Sequence, residues 1–165
     1  MWRFYDLEMT ERKPGIVFVS GPSESGKTTL IERLIPKLIE EGIRVATIKH
    51  AHAGFQMDHP GKDSWRHMHA GARAVAVISP QRTAYLIRTE KETSFKEAVK
   101  HLARDADMIL AEGFKEALGP RILLGVEGAE RRKQPLPVGD DPAGRRRPGD
   151  EAAGPLLLEA VQAAC

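Results

Sequence analysis

The sequence contains one cysteine, Cys165, among its 165 residues, so an intrachain disulfide is impossible. It also lacks an apolar run long enough to cross a membrane, and its first eight residues lack the apolar core of a secretion signal. The net charge of +2 creates no strong field for nucleic acid or a membrane surface. From these absences we expect a cytoplasmic globular protein that binds neither nucleic acid nor membrane.

The most specific motif present is GPSESGKT, which runs from Gly21 to Thr28. It fits the phosphate-binding loop pattern G-x-x-x-x-G-K-[ST], in which glycines let main-chain N–H groups turn towards a phosphate. Lys27 is then placed to reach the β- and γ-phosphates, and the Thr28 hydroxyl is placed to ligate Mg²⁺. The alternative is a glycine-rich turn that binds no ligand.

The flanking segments place this motif between a strand and a helix. Residues 16–20 are apolar and largely β-branched, which predicts a buried strand. Residues 29–41 predict a helix that stops at Gly42 and is kinked at Pro36. Its expected apolar stripe comprises Leu30, Ile31, Leu34, Ile35, Leu38 and Ile39. Because the helix N-terminus attracts anions, this context favours binding of a nucleoside triphosphate over an unliganded turn.

Strands and helices alternate along the next part of the chain. We expect strands over 44–49, 74–78, 83–87, 107–111 and 121–126, and helices over 63–70 and from a cap at Thr93 or Ser94 to about 103. The short turn between the strands at 74–78 and 83–87 predicts an antiparallel hairpin. The sequence therefore predicts an α/β three-layer P-loop NTPase fold with a mainly parallel sheet and an antiparallel hairpin.

Composition divides the chain into three segments. We expect a polar N-terminal leader over 1–13, a nucleotide-binding domain over 14–126 and a divergent C-terminal segment over 127–165. The last segment is rich in Gly, Pro and Arg up to about residue 155, so it buries too little apolar surface to order strongly. The apolar residues after about 155 allow a closing helix. The basic runs at 131–133 and 145–147 predict solvated loop charges, with an acidic partner or a phosphate-rich ligand as the alternative.

The strand that leads to Glu112 and Gly113 forms the second candidate site. An apolar strand that ends in an acidic residue commonly accompanies a phosphate-binding loop, because the carboxylate helps to hold Mg²⁺. Glu112 lies at the carboxyl end of this strand, where ligands bind in open α/β sheets. Asp107 lies at the beginning, which favours a structural role at the start of the strand.

The third candidate site is a polar stretch that follows the second strand. It comprises Lys49, His50, His52, Asp58, Lys62, Asp63 and Arg66. Lys49 should emerge at the ligand-bearing edge, and the stretch suits a phosphate, a second anionic ligand or Mg²⁺. Asp63 fits a helix N-cap equally well, and Lys62 and Arg66 also fit ordinary solvated charges. The histidines lack zinc-type spacing with cysteine, so we favour a role for His50 near phosphate or substrate over a transition-metal site.

Together these segments resemble the molybdopterin-guanine dinucleotide biosynthesis protein B family, MobB. The resemblance is carried, in fixed order, by the loop at 21–29, KHAH at 49–52, Asp58, GKDS at 61–64, Arg66, AGA at 70–72, the strand from 107 that ends in EGFK at 112–115, and PRI at 120–122. It covers about residues 14–126. Beyond that point only residues 136–140 match, and faintly.

The resemblance implies a GTP-binding accessory protein with weak GTPase activity that takes part in molybdenum cofactor biosynthesis as a homodimer. The implied partner is the molybdenum cofactor guanylyltransferase that joins GMP to molybdopterin. Molybdopterin or its guanine dinucleotide is the further implied ligand. The chain has no clear N-K-x-D motif for reading guanine, so the preference for GTP rests on the resemblance.

The resemblance also implies a set of site residues. Those at the GTP are Gly21, Ser23, Glu24, Ser25, Gly26, Lys27, Thr28 and Thr29, with His50, Lys62 and Arg66 lining an adjoining anionic region. Those near Mg²⁺ are Thr28, Asp63 and Glu112, and those expected to support hydrolysis are Lys27, Thr28 and Glu112. The sequence does not identify a water-orienting residue, and a missing catalytic group would explain slow hydrolysis.

Two other functions remain open. A P-loop small-molecule kinase would need an arginine-bearing lid, for which Arg82, Arg88 and the arginines after residue 130 are the candidates. A metal-inserting GTPase is suggested by the histidines, although no cysteine-containing metal motif accompanies them.

Overall fold

The computed structural model describes residues 13–125, which fall into two units. One unit contains residues 13–50 and 98–125, and the other contains residues 51–97. The predicted leader, except for Lys13, and the predicted C-terminal segment lie outside the described residues. The helices of the described part include none long and apolar enough to cross a membrane.

Six strands and three helices are present within these residues. The strands are β1 (Gly15–Ser20), β2 (Val45–Lys49), β3 (Ala74–Ile78), β4 (Thr83–Ile87), β5 (Met108–Glu112) and β6 (Arg121–Leu123). The helices are α1 (Lys27–Glu40), α2 (Asp63–His69) and α3 (Phe95–Leu102). Each element predicted within residues 13–125 is confirmed to within a few residues, and the predicted closing helix lies outside them. The strand predicted over 121–126 ends at Leu123, and α1 begins at Lys27 rather than Thr29.

Four strands form a parallel sheet in the order β2-β5-β1-β6. The register pairs Glu112 with Val19 of β1 on one side and with Lys49 of β2 on the other. All four strands point the same way, so the phosphate-binding loop, Glu112 and Lys49 lie at the carboxyl edge. The fold is therefore a mostly parallel α/β sheet with helices and a small antiparallel pair, as the sequence predicts.

Helix α1 covers one face of this sheet. The core between them contains Val17, Val19, Leu30, Ile31, Leu34, Leu38, Ile43, Met108 and Leu110. Successive side chains on a strand alternate between faces, so Phe18 and Ser20 point to the face opposite α1. Both are almost fully buried as well. Burial on both faces explains why β1 and β5 are nearly continuous apolar runs.

The end of α1 departs from the predicted apolar stripe at one position. The Gly42 N–H donates to the Ile39 carbonyl, and the Ile43 N–H donates to the Leu38 carbonyl. This Schellman pattern brings Ile43 into the core cluster that contains Leu38, so Ile43 completes the core at this end. Ile39, predicted to be on the buried stripe, is instead 57% exposed. The helix continues through Pro36, which lies on its exposed side.

The amino edge of the parallel sheet is held by one ion pair. Arg44 Nε lies 2.9 Å from Asp107 Oδ2, and Arg44 Nη2 donates to Asp107 Oδ1 at 3.0 Å. The Asp107 N–H in turn donates to the Arg44 carbonyl, which places the start of β2 beside the start of β5. Hydrogen bonding to Asp107 raises the pKa of Arg44. The structural role predicted for Asp107 is confirmed.

The unit of residues 51–97 contains the predicted hairpin as a separate two-stranded sheet. Strands β3 and β4 pair antiparallel, with Ala74 opposite Ile87 and Ile78 opposite Thr83. Ser94 caps α3: its Oγ accepts from the Glu97 N–H, and the Glu97 carboxylate accepts from the Ser94 N–H. Of the two predicted caps, Ser94 is therefore the one in place.

Candidate functional site

The phosphate-binding loop joins the buried end of β1 to the first turn of α1. Gly26 adopts a left-handed conformation, with φ of 85°, at the helix N-cap. Gly21 is packed too closely for a side chain, since a Cβ there would lie 2.5 Å from the Leu124 carbonyl oxygen and 2.6 Å from Ser25 Oγ. Gly26 is therefore required by its backbone conformation, and Gly21 by the lack of space for a side chain.

Lys27 is the first residue of α1 and folds back over the loop. Its ammonium donates to the Gly21 carbonyl at 3.2 Å and to the Pro22 carbonyl. These bonds hold a positive charge beside the loop at the helix N-terminus, where the helix dipole also attracts an anion. The predicted cation therefore lies beside the loop, and its contact with phosphate stays a prediction.

The other predicted loop residues differ in exposure. Ser25 Oγ is buried and has no hydrogen-bond partner among residues 13–125. Glu24 adopts a left-handed conformation with φ of 60°, which is uncommon for a residue with a side chain. Ser23, Thr28 and Thr29 are exposed to solvent. The loop thus presents hydroxyl groups to solvent while its own glycines fix its shape.

Glu112 ends β5 beside the loop. Its side chain is only 13% exposed, and its Oε1 lies 3.4 Å from Lys49 Nζ. The predicted acidic residue is therefore at the carboxyl edge and near the end of β1, as its pairing with Val19 requires. Lys49, predicted beside an anionic ligand, forms an ion pair with Glu112 instead of standing alone.

His50 is held by the residues that follow Glu112. The His50 N–H donates to the Glu112 carbonyl at 3.0 Å. Its imidazole stacks on the Phe114 ring, with centroids 4.9 Å apart and planes inclined by 17°. Gly113 makes this approach possible, because a Cβ there would lie 3.1 Å from His50 Cβ. The backbone and ring contacts fix His50 at the same edge as the loop.

The oxygen donors at this edge fit a magnesium ion. Mg²⁺ prefers hard oxygen ligands such as a hydroxyl or a carboxylate, and it usually retains waters and phosphate oxygens as well. Thr28 and Glu112 are donors of this kind and belong to the same unit of the structure. Within residues 13–125, no three His, Cys, Asp or Glu side chains are grouped so as to hold a metal ion.

The remaining predicted site residues lie in the unit of residues 51–97. Asp63 is the first residue of α2, whose N-cap is Lys62, so the alternative of an Asp63 cap is wrong. Its carboxylate is 90% exposed and lies 3.9 Å from Arg66 Nη1. Asp58 is tied locally, since its Oδ1 accepts from the Ser64 hydroxyl and from the His59 N–H. The predicted ligand contacts of Lys62, Asp63 and Arg66 stay predictions.

A cleft beside the loop is the feature that the sequence motifs did not identify. Its volume is about 420 Å³, and it is lined by Ser20, Gly21, Pro22, Lys115, Arg121 and Leu123. Arg121 begins β6 and Lys115 follows Gly113 by two residues, so the cleft is lined by two cations from parts of the sequence distant from the loop. In the sequence, the basic residue after Pro120 was the signal that could have pointed to this cleft. Arg121 reaches the cleft only because β6 pairs with β1.

The loop, the helix that follows it and the acidic strand beside it define the class. The protein is an α/β protein of the P-loop NTPase type, with its phosphate-binding loop at the carboxyl edge of a parallel sheet. The family described as molybdopterin guanine dinucleotide synthesis protein B, MobB, matches residues 16–140. The chain belongs to this family.

Individual relatives agree with this placement. The chain is 42% identical over 124 residues to a molybdopterin-guanine dinucleotide biosynthesis adapter protein of Haemophilus influenzae, covering 74% of this chain and 68% of that protein. It is 40% identical over 119 residues to the protein of the same name from Escherichia coli, covering 70% and 68%. The crystal structure of Bacillus subtilis MobB superposes with a TM-score of 0.61 at 26% identity, covering 88% of this chain and 97% of that one.

Proposed function

We propose that this protein binds GTP and Mg²⁺ and acts as an adapter in the formation of molybdopterin-guanine dinucleotide. The single observation that carries the nucleotide part is the Lys27 ammonium, held over the loop at the N-terminus of α1. The adapter part is supported by the names of the Haemophilus influenzae and Escherichia coli relatives. On this proposal the partner is the guanylyltransferase that joins GMP to molybdopterin.

The proposed roles of Lys62, Asp63 and Arg66 rest on the family resemblance alone, whereas the other roles also draw on positions at the carboxyl edge. The loop from Gly21 to Thr29 holds the phosphates, with Lys27 neutralising charge on the γ-phosphate. Thr28 and Glu112 hold Mg²⁺, with Asp63 as a further proposed ligand. When bound, the ion offsets the negative charge of the phosphates. His50, Lys62 and Arg66 line the adjoining anionic region, which is where molybdopterin or its guanine dinucleotide would bind.

Hydrolysis of GTP on this proposal is slow. Fast hydrolysis of a nucleoside triphosphate requires a residue that orients water and a cation that stabilises the transition state. Lys27 supplies charge, but the proposal assigns no residue to the orientation of the attacking water. The bound nucleotide would therefore persist long enough to serve as a state that the partner transferase recognises.

A homodimer is also part of the proposal, and the hairpin supports it. Large apolar side chains on β3 and β4 are exposed, namely Val77, Ile78, Tyr85 and Ile87. A two-stranded hairpin is only marginally stable in water unless another surface covers it. Sedimentation equilibrium should give about twice the chain mass of 18.2 kDa. Ile78→Asp should shift the equilibrium towards the monomer, and a wild-type monomer at all concentrations would refute the dimer.

The nucleotide and partner claims can be tested together. GTP and ATP are titrated calorimetrically into the protein with Mg²⁺, and the GTP-loaded protein is then mixed with the guanylyltransferase and molybdopterin. The proposal expects GTP to bind more tightly than ATP, and it expects the loaded protein to increase dinucleotide formation. Equal affinity for the two nucleotides would refute guanine selection. Transfer of phosphate to a small acceptor would favour the kinase alternative.

A further inference from the structure

Arg121 contacts several parts of the carboxyl edge at once. One guanidinium nitrogen, Nη1, donates to Ser20 Oγ. The other, Nη2, donates to the Phe114 carbonyl at 3.0 Å and also to the Ala117 carbonyl. The guanidinium carbon lies 5.1 Å from the centroid of the Phe18 ring, within the range of a cation–π contact. One side chain thus joins β1, β6 and the segment that follows β5.

Ser20, the first of these partners, is the last residue of β1, at the start of the phosphate-binding loop. It is 4% exposed and immediately precedes Gly21. Its hydroxyl accepts from Arg121 and donates to the Gly113 carbonyl at 3.1 Å. Its carbonyl accepts from the Leu124 N–H at 2.9 Å. A buried hydroxyl with both its donor and its acceptor engaged has little freedom to move, so the loop starts from a fixed point.

Phe114, the second partner, has an unfavourable backbone conformation. Its φ is 49°, in the left-handed region that is uncommon for a residue other than glycine. Its carbonyl is held by Arg121, and its ring stacks on His50 and tilts against Phe18 at a centroid distance of 6.4 Å. The same guanidinium therefore supports the conformation that places Phe114 against His50.

The chemistry of these contacts is particular to arginine. A guanidinium is planar and offers five N–H donors in a fixed fork, so it can serve a hydroxyl and two carbonyls from one position. Arg121 pairs with Phe18 in the register of β1 and β6, which brings its stem alongside the ring that it covers. A lysine would lack the fork, but it would keep the charge and could donate to one or two of these groups, so it should preserve part of the arrangement.

We propose that Arg121 is a positioning residue for nucleotide binding. Through Ser20 it fixes the start of the phosphate-binding loop, and through Phe114 it fixes His50 at the same edge. It acts on the phosphates through these groups. The proposal rests on the proposed function, since it presumes that the loop binds a nucleoside triphosphate.

The test compares two arginines of the same sheet. Mg·GTP is titrated calorimetrically into wild type, Arg121→Met, Arg121→Lys and the control Arg44→Met, well below the lowest melting temperature of the set. Methionine keeps much of the stem and removes every donor. We expect Arg121→Met to weaken GTP binding by about tenfold, the effect of losing charge-assisted hydrogen bonds. We expect Arg121→Lys to recover at least half of that loss on a logarithmic scale, and Arg44→Met to bind like wild type.

A second readout does not depend on GTP. Amide hydrogen exchange of the ligand-free protein should rise in residues 20–27 and 113–117 in Arg121→Met, and should stay unchanged in 45–48. Ser20→Ala should raise exchange in the same two segments, which keeps the test usable if Arg121→Met folds poorly. Affinity and exchange that are unchanged in Arg121→Met would overturn the proposal, as would a lysine variant no better than the methionine variant.

The two possible failures remain distinct. If wild type does not bind GTP, the proposed function fails, and the exchange pattern alone decides whether Arg121 fixes the loop. If wild type binds GTP and Arg44→Met weakens binding as much as Arg121→Met does, Arg121 contributes only general stability and the positioning proposal fails.

Discussion

The two edges of the parallel sheet use charged residues in opposite ways. At the amino edge Arg44 and Asp107 neutralise each other through their side chains, and their backbones are also hydrogen-bonded. At the carboxyl edge Lys49 and Glu112 also form an ion pair, but Lys27 and Arg121 donate chiefly to main-chain carbonyls and a hydroxyl. Carbonyls do not cancel a positive charge, so this edge remains attractive to an anion while the other does not.

The two edges also differ in how closely they are packed around Gly15 and Gly21, which lie at opposite ends of β1. A Cβ on Gly15, at the amino edge, would meet only the Asp107 carbonyl oxygen at an ordinary distance of 3.9 Å. A Cβ on Gly21, at the carboxyl edge, would clash with the Leu124 carbonyl. The strand therefore tolerates change at one end and is closely packed at the other. Paired substitutions, with one residue at the carboxyl edge and a matched residue elsewhere, test this difference between the edges.

Removal of the Lys27 ammonium should have the largest effect on ligand binding. Lys27→Ala should weaken Mg·GTP binding roughly 10- to 100-fold, because a charge-assisted contact to phosphate is lost. The measurement is a calorimetric titration. Lys37→Ala, on the exposed side of the same helix, is the matched control and should bind like wild type. Equal affinity of Lys27→Ala and Lys37→Ala would contradict the phosphate-binding role of the loop.

A methyl group at Gly21 should be the next most disruptive change. Gly21→Ala should lower the free energy of unfolding by about 1–3 kcal/mol, because the loop must move away from the Leu124 carbonyl. Urea denaturation measures this loss. Gly15→Ala should change stability by no more than about 1 kcal/mol, since its Cβ makes only an ordinary contact and a strand favours alanine over glycine. Similar losses in both variants would show that the two ends of β1 do not differ.

Neutralising Glu112 should affect the dependence of binding on magnesium. Glu112→Gln preserves the shape of the side chain, and it should reduce the gain in GTP affinity on adding Mg²⁺ by roughly tenfold through loss of one charged ligand. Titrations with Mg²⁺ and with EDTA give that gain. Glu116→Gln, an exposed carboxylate four residues further along, should leave it unchanged. A full magnesium effect in Glu112→Gln would remove this residue from the proposed metal site.

The smallest expected effect concerns the amino-edge ion pair. Asp107→Asn should lower the melting temperature slightly and leave GTP affinity unchanged, because the partly exposed pair is remote from the loop in the sheet register. The raised pKa of Arg44 keeps the guanidinium charged. Its share of the stability would be lost only as the pH rises through that high pKa, so it should not vary near neutrality. A loss of GTP affinity in Asp107→Asn would mean that the edges are coupled.

Local patterns were sufficient to predict much of this fold. The loop between Gly21 and Lys27 has a fixed spacing, and β1 and β5 are apolar runs of strand length. Glu112 could be placed at the carboxyl edge, beside the loop, because the carboxyl ends of parallel strands meet there. Such inferences need only neighbouring residues and one rule of sheet topology, and the structure confirms them.

Long-range contacts were beyond that reasoning. Arg121 and Ser20 are 101 positions apart, and their contact depends on β6 pairing with β1 in one register. The ion pair between Lys49 and Glu112 depends on the pairing of β2 with β5 in the same way. The prediction that Ile39 belongs to the buried stripe was wrong. Helical periodicity does not show that Ile43, after Gly42, completes the core at this end.

The central claim is that the carboxyl edge binds a nucleotide through its phosphates. It is tested most directly by titrating guanosine, GMP, GDP and GTP separately into the wild-type protein with Mg²⁺ in a calorimeter. The account predicts no measurable binding of guanosine and an affinity that rises with each phosphate to its highest value for GTP. Guanosine binding as tightly as GTP, or no binding of GTP at all, would contradict it.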